Sequence, residues 1–361
     1  MGWFQTTVYF PALVAIVAFV AANYALSLFP QFGSAKFGIW LMTLIYLVAI
    51  YIMNLWSSRL SEIFQTSAMF IKLIPLLLIA ICGLIFGDPQ AISSHAITLP
   101  VVLSSTGAIV AVAFSYDGWT VAPSIGHEIK NSKRNLPLAL IISPLIILAV
   151  YVSYFVGISL MIGPAEIMKM GDLAFSAAAE RLFGPVGQKL MLVAVIISVL
   201  GTLNGLVVAN IRAPYFLALR QELPYSHKIG VLHARYNLSI LSALLSFFMT
   251  LIWLGIHYLS ITVPSISRFG IDISSIPIVI MYLFYTGLYV GVVIRTAKGL
   301  IQSKLLGYVC PILAILGAFM ILYGGLTAAN GVIYLIVSGL ILVSGLALYQ
   351  FVVCKKPKNS V

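Results

Sequence analysis

Long apolar runs separated by short polar connections make up most of the chain. A helix needs about 20 apolar residues to cross the hydrocarbon core of a bilayer, and windows of that length predict ten spans. The predicted spans are 6–29, 37–56, 66–86, 105–129, 138–161, 189–212, 237–258, 273–295, 304–325 and 331–354. We therefore expect an all-α polytopic membrane protein with about ten transmembrane helices, in which residues 1–361 form a single transmembrane domain.

The fourth predicted span is interrupted by a polar pair, Asp117-Gly118. An aspartate at the centre of a membrane helix costs about 3 kcal/mol on insertion scales, and a glycine weakens the helix by roughly 1 kcal/mol. The pair favours a broken helix that lines a site, because irregular backbone is tolerated at membrane depth only where protein or water covers it. The alternative is a kink packed against neighbouring helices, with Asp117 bonded to a buried hydroxyl.

The connection between the fifth and sixth spans, residues 163–188, is predicted to contain a short amphipathic helix at the outer surface. Four apolar residues recur at helical spacing there: Phe175, Ala178, Ala179 and Leu182. Gly184-Pro185 is expected to break the chain before the next span.

The composition and charge support the membrane assignment. The chain is 61% hydrophobic and 8% charged, whereas a soluble domain carries about 25% charged residues. Fifteen of the 20 lysines and arginines fall on the side that holds both termini, and the positive-inside rule places that side in the cytoplasm. The net charge of +11 therefore indicates orientation and attraction to the lipid bilayer, and does not indicate nucleic-acid binding.

Enzymatic chemistry is not indicated. No H-E-x-x-H motif occurs, and no two acids share a face inside a predicted span. The cysteines Cys82, Cys310 and Cys354 lie far apart, in a pattern that suits neither a disulfide framework nor a metal cluster. We predict no enzymatic activity, no cofactor and no metal.

The interrupted span is better suited to transport. Where a helix breaks in mid-membrane, the carbonyls that end its first half lose their partners and carry the negative end of the helix dipole. The carbonyls around Phe114 and Ser115 are therefore predicted to face a cavity and to accept hydrogen bonds from a ligand ammonium group. Phe114, Tyr116 and Trp119 would supply apolar walls or an aromatic gate, although each aromatic residue alone is more typical of packing.

Other features have both a packing and a functional interpretation. Lys72 either snorkels to the headgroups or places a fixed cation where a sodium ion would otherwise sit. Asn204 either bonds across helices or belongs to the site. The aromatic residues of 282–285 are more typical of packing than of a gate, and Glu128 is a candidate for an inner-gate ion pair.

The same residues resemble a known family. The run Phe114-Ser115-Tyr116-Asp117-Gly118-Trp119, followed by 126–131 and Asn135-Leu136-Pro137, is similar to the sixth helix and following loop of the amino acid–polyamine–organocation superfamily. Tyr9-Phe10-Pro11-Ala12 resembles its third helix, and Lys72-Leu73-Ile74-Pro75 its fifth. Within the superfamily the chain is most similar to the L-type amino acid transporters, and especially to bacterial serine/threonine exchangers.

The resemblance implies a secondary transporter built on two inverted five-helix repeats, with the first and sixth helices broken at the substrate site. It implies that the carbonyls of Phe114, Ser115 and Asp117 hold the substrate ammonium group, that Phe114 is the gating aromatic residue, and that Lys72 occupies the sodium-site position. The full predicted substrate-binding set is Phe114, Ser115, Tyr116, Asp117, Gly118, Trp119 and Asn204.

The chain matches helices three to twelve of the family pattern, so the first two helices, including the Gly-rich helix that binds the substrate carboxylate, have no counterpart in it. We expect either a fragment of a longer reading frame or a truncated paralogue. The predicted function is exchange of neutral L-amino acids across a bacterial cell membrane by alternating access. The alternative is a non-transporting remnant or scaffold of the same family.

Overall fold

A computed structural model describes residues 1–29, 36–93, 106–124, 126, 129–171, 173–233, 236, 238–267, 273–327 and 331–352. Within these ranges the chain forms helices and turns, and no strand occurs. The prediction of an all-α protein is confirmed.

The helices are numbered here in chain order. They are α1 Gly2–Ser27, α2 Lys36–Trp56, α3 Ser58–Phe86, α4 Thr106–Ser115, α5 Val121–Ser124, α6 Ser132–Ile162, α7 Pro164–Met170, α8 Leu173–Leu219, α9 Ser226–Ile229, α10 Ile240–Thr262, α11 Ser275–Ala297, α12 Leu305–Thr327 and α13 Gly331–Val352. Single helical turns also occur at Gln90–Ser93 and Pro264–Ser267.

Eight helices of the described residues are long and apolar enough to cross a membrane: α1, α2, α3, α6, α8, α10, α11 and α12. A ninth apolar stretch, Ile336–Val352 in α13, is shorter, and α4 is the first half of the interrupted span. Each of the ten predicted spans therefore has a helical counterpart. The protein is a multi-pass membrane protein.

The chain packs as two compact units. The first unit comprises Met1–Ile16, Leu99–Asp117 and Val208–Val361, and the second comprises Val17–Thr98 and Gly118–Val207. In the first unit α12 packs against α4 and α11, and Trp3 Nε1 donates to Ser344 Oγ at 3.1 Å, which ties the start of α1 to α13.

In the second unit α3 and α6 cross closely at two glycines, Gly83 and Gly157. A Cβ at Gly157 would lie 2.8 Å from the carbonyl oxygen of Ile79, so the crossing depends on small residues, as is typical where helices meet without a hydrophobic driving force.

The amphipathic segment predicted for 163–188 is also found in the second unit. Ala178 and Ala179 are fully buried in a cluster with Ile158 of α6 and Met191 of α8, and Phe175 and Leu182 pack against the same cluster. The helix is kinked at Gly184, where φ is 67°, as Gly184-Pro185 predicted.

Two helices of the first unit, α1 and α12, begin with the same irregular turn. Residues Gln5–Tyr9 and Leu305–Val309 are π-helical, and each turn is followed two residues later by a proline, Pro11 or Pro311. A proline cannot donate to the carbonyl four residues before it, and its ring clashes with that carbonyl. The wider turn relieves the clash.

The carbonyl that each proline leaves without its backbone donor receives a side-chain donor from a neighbouring helix. Trp253 Nε1 of α10 donates to Thr7 O at 2.8 Å. Thr296 Oγ1 of α11 shares its hydrogen between Gly307 O at 3.2 Å and Val292 O of its own helix at 2.9 Å. These bonds satisfy backbone groups that hydrocarbon could not.

Gly83→Ala is expected to lower thermal stability even though alanine is the better helix former. Its Cβ would overlap the carbonyl oxygen of Gly157, and overpacking of this kind costs about 1–3 kcal/mol. The midpoint of thermal unfolding of the detergent-purified protein, followed by size-exclusion chromatography, should therefore fall. Gly255→Ala in α10 is the matched control, because its Cβ meets no atom within 4 Å, and an equal response of both variants would contradict the close crossing.

Candidate functional site

The break predicted in the fourth span is present. The helix α4 ends at Ser115 and α5 begins at Val121. Between them the chain turns, with Tyr116 N–H donating to Ala113 O at 3.3 Å, and Gly118 takes φ of 100°, a conformation that glycine adopts without the steric cost of a Cβ.

The carbonyls at the break differ from the prediction. The Phe114 carbonyl was expected to have lost its partner, but its oxygen accepts the Asp117 N–H at 3.1 Å, and the Val112 carbonyl accepts Ser115 Oγ at 2.7 Å. The tight turn at the helix end supplies these donors. The Phe114 carbonyl oxygen therefore already accepts one hydrogen bond, although an oxygen with two lone pairs can accept a second one.

Asp117 is bonded to a hydroxyl in the first unit. Tyr9 Oη donates to Asp117 Oδ2, and Tyr9 is 1% exposed in the π-helical turn of α1. The alternative considered from the sequence, an aspartate bonded to a buried hydroxyl, therefore occurs together with the break. Tyr9 was not predicted as a site residue, and the available signal was a tyrosine two residues before a proline in an apolar run.

Aromatic side chains surround Tyr9. The ring of Phe4 lies 6.1 Å from that of Tyr9 and 5.4 Å from that of Phe284. Tyr282 and Tyr285 meet edge to face at 5.3 Å, and Tyr285 is fully buried. The aromatic residues of the eighth predicted span are thus packed, as their spacing favoured. Phe114 itself remains 37% exposed.

Asn204 lies in a buried polar cluster of the second unit. Its Oδ1 accepts Asn54 Nδ2 at 2.8 Å and Ser61 Oγ at 3.0 Å. Its Nδ2 donates to Ser61 O at 3.1 Å and to Gln65 Oε1 at 3.2 Å. An amide side chain has two acceptor positions and two donor hydrogens. Both donor hydrogens and one acceptor position have partners of their own, and the other acceptor position shares the Ser61 hydroxyl hydrogen with Asn54 Oδ1, 2.8 Å from Ser61 Oγ. The structure therefore favours the helix-bonding interpretation, and we do not include Asn204 in the proposed substrate site.

Lys72 lies half-buried on a polar face of α3 that the sequence reasoning did not identify as a whole. The positions of Glu62, Gln65, Thr66 and Lys72 follow helical spacing, and Glu62, Gln65 and Thr66 are exposed in the second unit. Polar residues within a membrane helix usually face protein or a water-filled cavity. We call these four residues the polar face of α3.

Glu128, the candidate for an inner-gate ion pair, lies outside the described residues, as does His127 beside it. Among the residues that are described, no three His, Cys, Asp or Glu side chains are grouped so that they could hold a metal ion.

Comparison with known proteins decides the family. A family model described as amino acid permease matches residues 1–341. The chain belongs to this family. It is 30% identical over 328 residues to the serine/threonine exchanger SteT of Bacillus subtilis (strain 168), covering 89% of this chain and 71% of the exchanger.

More distant relatives include the human large neutral amino acids transporter small subunit 2, at 25% identity over 70% of this chain, and the cystine/glutamate transporter of Pongo abelii, at 26% over 70%. The chain spans 48% and 50% of their lengths, respectively. These relatives are transporters and exchangers, which confirms that this permease is not an enzyme and that the predicted superfamily is correct.

Tyr9→Phe is expected to destabilise the protein because it leaves the Asp117 carboxylate without this donor. A hydrogen bond to a charged group contributes about 1.5–3 kcal/mol, so the thermal midpoint should fall. Asp117→Asn should lose less when Tyr9→Phe is already present, as expected for residues in contact. The control is Tyr323→Phe on the exposed surface of α12, and additive effects of the two site variants would contradict the bond.

Asn204→Ala is expected to lower the ligand-free thermal midpoint, because it strips partners from Asn54, Ser61 and Gln65 at once. A buried polar group left unsatisfied costs about 1–3 kcal/mol. Substitution of a residue that binds only substrate would have a different effect. The thermal midpoint without ligand would stay unchanged, and added amino acid would no longer raise it. Thr202→Val, which removes only an exposed bond to Ser198 O within the same helix, is the control.

Proposed function

We propose that this permease exchanges neutral L-amino acids across a cell membrane by alternating access. The observation that carries the proposal is the unwound segment between α4 and α5, whose Asp117 side chain is bonded to Tyr9 in the irregular turn of α1. The 30% identity to a serine/threonine exchanger supports this substrate class, as does the likeness to a large neutral amino acids transporter.

The backbone of the break would bind the substrate ammonium group. The carbonyls of Phe114, Ser115 and Asp117 lie where the helix dipole of α4 ends, and the negative end of that dipole favours a cation. Because the Asp117 carboxylate is engaged by Tyr9, the positive group would be recognised by carbonyl oxygens. Phe114, partly exposed beside these carbonyls, would close over the ligand, and Tyr116, Gly118 and Trp119 would complete this half of the site.

The polar face of α3 would line a water-filled cavity. Lys72, on that face, would provide a fixed positive charge at the position that sodium occupies in sodium-coupled relatives of the fold, so exchange would not require sodium. We further propose that both termini lie in the cytoplasm, since the basic residues concentrate on that side. We also propose that residues 1–361 form one transporter domain in a bacterial membrane.

The decisive measurement is exchange in proteoliposomes. Vesicles that contain the chain and are preloaded with unlabelled serine should take up labelled serine or threonine, equally in sodium and in potassium buffer. The Bacillus subtilis exchanger is the positive control. Absence of exchange by this chain under conditions where the control is active would support the non-transporting alternative.

Phe114→Ala is expected to reduce the exchange rate at least about tenfold, because a loss of about 1.4 kcal/mol in stabilisation of the closed state corresponds to that factor. Phe114→Tyr should retain most of the wild-type exchange rate. The lipid-exposed Phe155→Ala in α6 is the matched control. If Phe114→Ala exchanges like Phe155→Ala while both proteins are equally abundant in the vesicles, Phe114 is not the gate.

A further inference from the structure

An open cavity of about 290 Å³ lies beside the start of α10 in the first unit, and none of its lining residues belongs to the break. Its lining residues are Lys228, Val231, His233, Ile240, Leu241 and Leu244. The cavity joins two kinds of surface: a basic end on the connection that follows α8 and an apolar end on a membrane-spanning helix.

The basic end is held in place by the fold. Ser239 Oγ donates to Ile229 O at 2.6 Å, which fixes the end of α9 to the start of α10. His233 N–H donates to Leu238 O at 3.0 Å, and its ring stacks on that of Tyr236 at 4.8 Å. Lys228 and His233 are exposed at the same cavity, and no acid lines it among the described residues.

The apolar end continues along α10. Leu241, Leu244 and Phe248 are all exposed and follow the i, i+3, i+7 spacing of one helix face. This stripe begins at the basic end and runs toward the middle of the span, so a cation sits where a long apolar surface starts.

We propose that this cavity binds an anionic phospholipid. The phosphate would lie against Lys228 and His233, and one acyl chain would follow Leu241, Leu244 and Phe248. Because α10 spans the membrane, the stripe faces acyl chains, and a lipid whose phosphate lies at the basic end would place its own chain there. A lipid without net charge would also bring a cationic group into a basic site. The inference rests on the proposed cytoplasmic placement of this connection, the side where anionic lipids attract basic segments.

Native mass spectrometry of the detergent-purified protein tests the proposal. The protein is titrated with phosphatidylglycerol or phosphatidylcholine of identical acyl chains, and the first bound lipid is counted. We expect at least about a fivefold preference for phosphatidylglycerol. Lys228→Gln combined with His233→Gln should abolish that preference, and Leu244→Gln on the exposed stripe should weaken binding of phosphatidylglycerol.

The control is Lys298→Gln, which removes an exposed basic residue just after α11. An equal loss in this variant would show that positive charge in general attracts the lipid, and would overturn the site. If glycerol phosphate displaces the lipid and binds wild type and Leu244→Gln alike, the site is for a soluble anion, which also overturns the proposal. Because no amino acid is present, failure here would leave the proposed exchange untouched.

Discussion

A backbone group in hydrocarbon has no water to bond with, and this requirement governs each irregular turn of the permease. Three carbonyls of the described helices in the first unit that lack a regular helical donor have another donor nearby. Trp253 and Thr296 supply it to the carbonyls freed by the two prolines, and the Asp117 N–H supplies it to Phe114 at the break. A break in a membrane helix is thus stable only with the neighbour that completes it.

This requirement links the irregular turn of α1 to the break between α4 and α5. The π-helical turn that accommodates Pro11 also contains Tyr9, and Tyr9 donates to Asp117 at the end of α4. Two segments with weakened backbone hydrogen bonding are therefore joined through one side-chain pair. Elements that move in transport are drawn from such segments, because regular helix resists local rearrangement. A change in the backbone conformation of either segment is therefore expected to alter the other.

The sequence was sufficient for features that depend on local composition. Ten apolar windows correspond to ten helical segments, and Asp117-Gly118 marked the break because an acid and a glycine are both costly in a membrane helix. Gly184-Pro185 likewise located a kink, since no contact with a distant residue was needed to infer it.

Features that depend on pairing between distant residues were not accessible in the same way. Tyr9 and Asp117 are 108 positions apart, and no periodicity connects them. From the sequence, packing between helices was the favoured interpretation of Asn204 and a place in the site was the alternative, and only the positions of Asn54, Ser61 and Gln65 show how its amide is bonded. The Phe114 carbonyl was misjudged because the turn that follows a helix end can return its own N–H groups to the last carbonyls.

Asp117 shows why side chain and backbone have to be considered separately at such a site. An aspartate beside a proposed ammonium-binding segment suggests a carboxylate that pairs with the ligand charge, but the hydrogen bond from Tyr9 occupies one carboxylate oxygen and restrains the other. The carbonyl of the same residue points along a different bond and is not consumed by that contact. Recognition by carbonyl dipoles leaves the charge of Asp117 available to fix the geometry of the break. In the proposed arrangement the costly acid stabilises the irregular backbone, and the irregular backbone would bind the substrate.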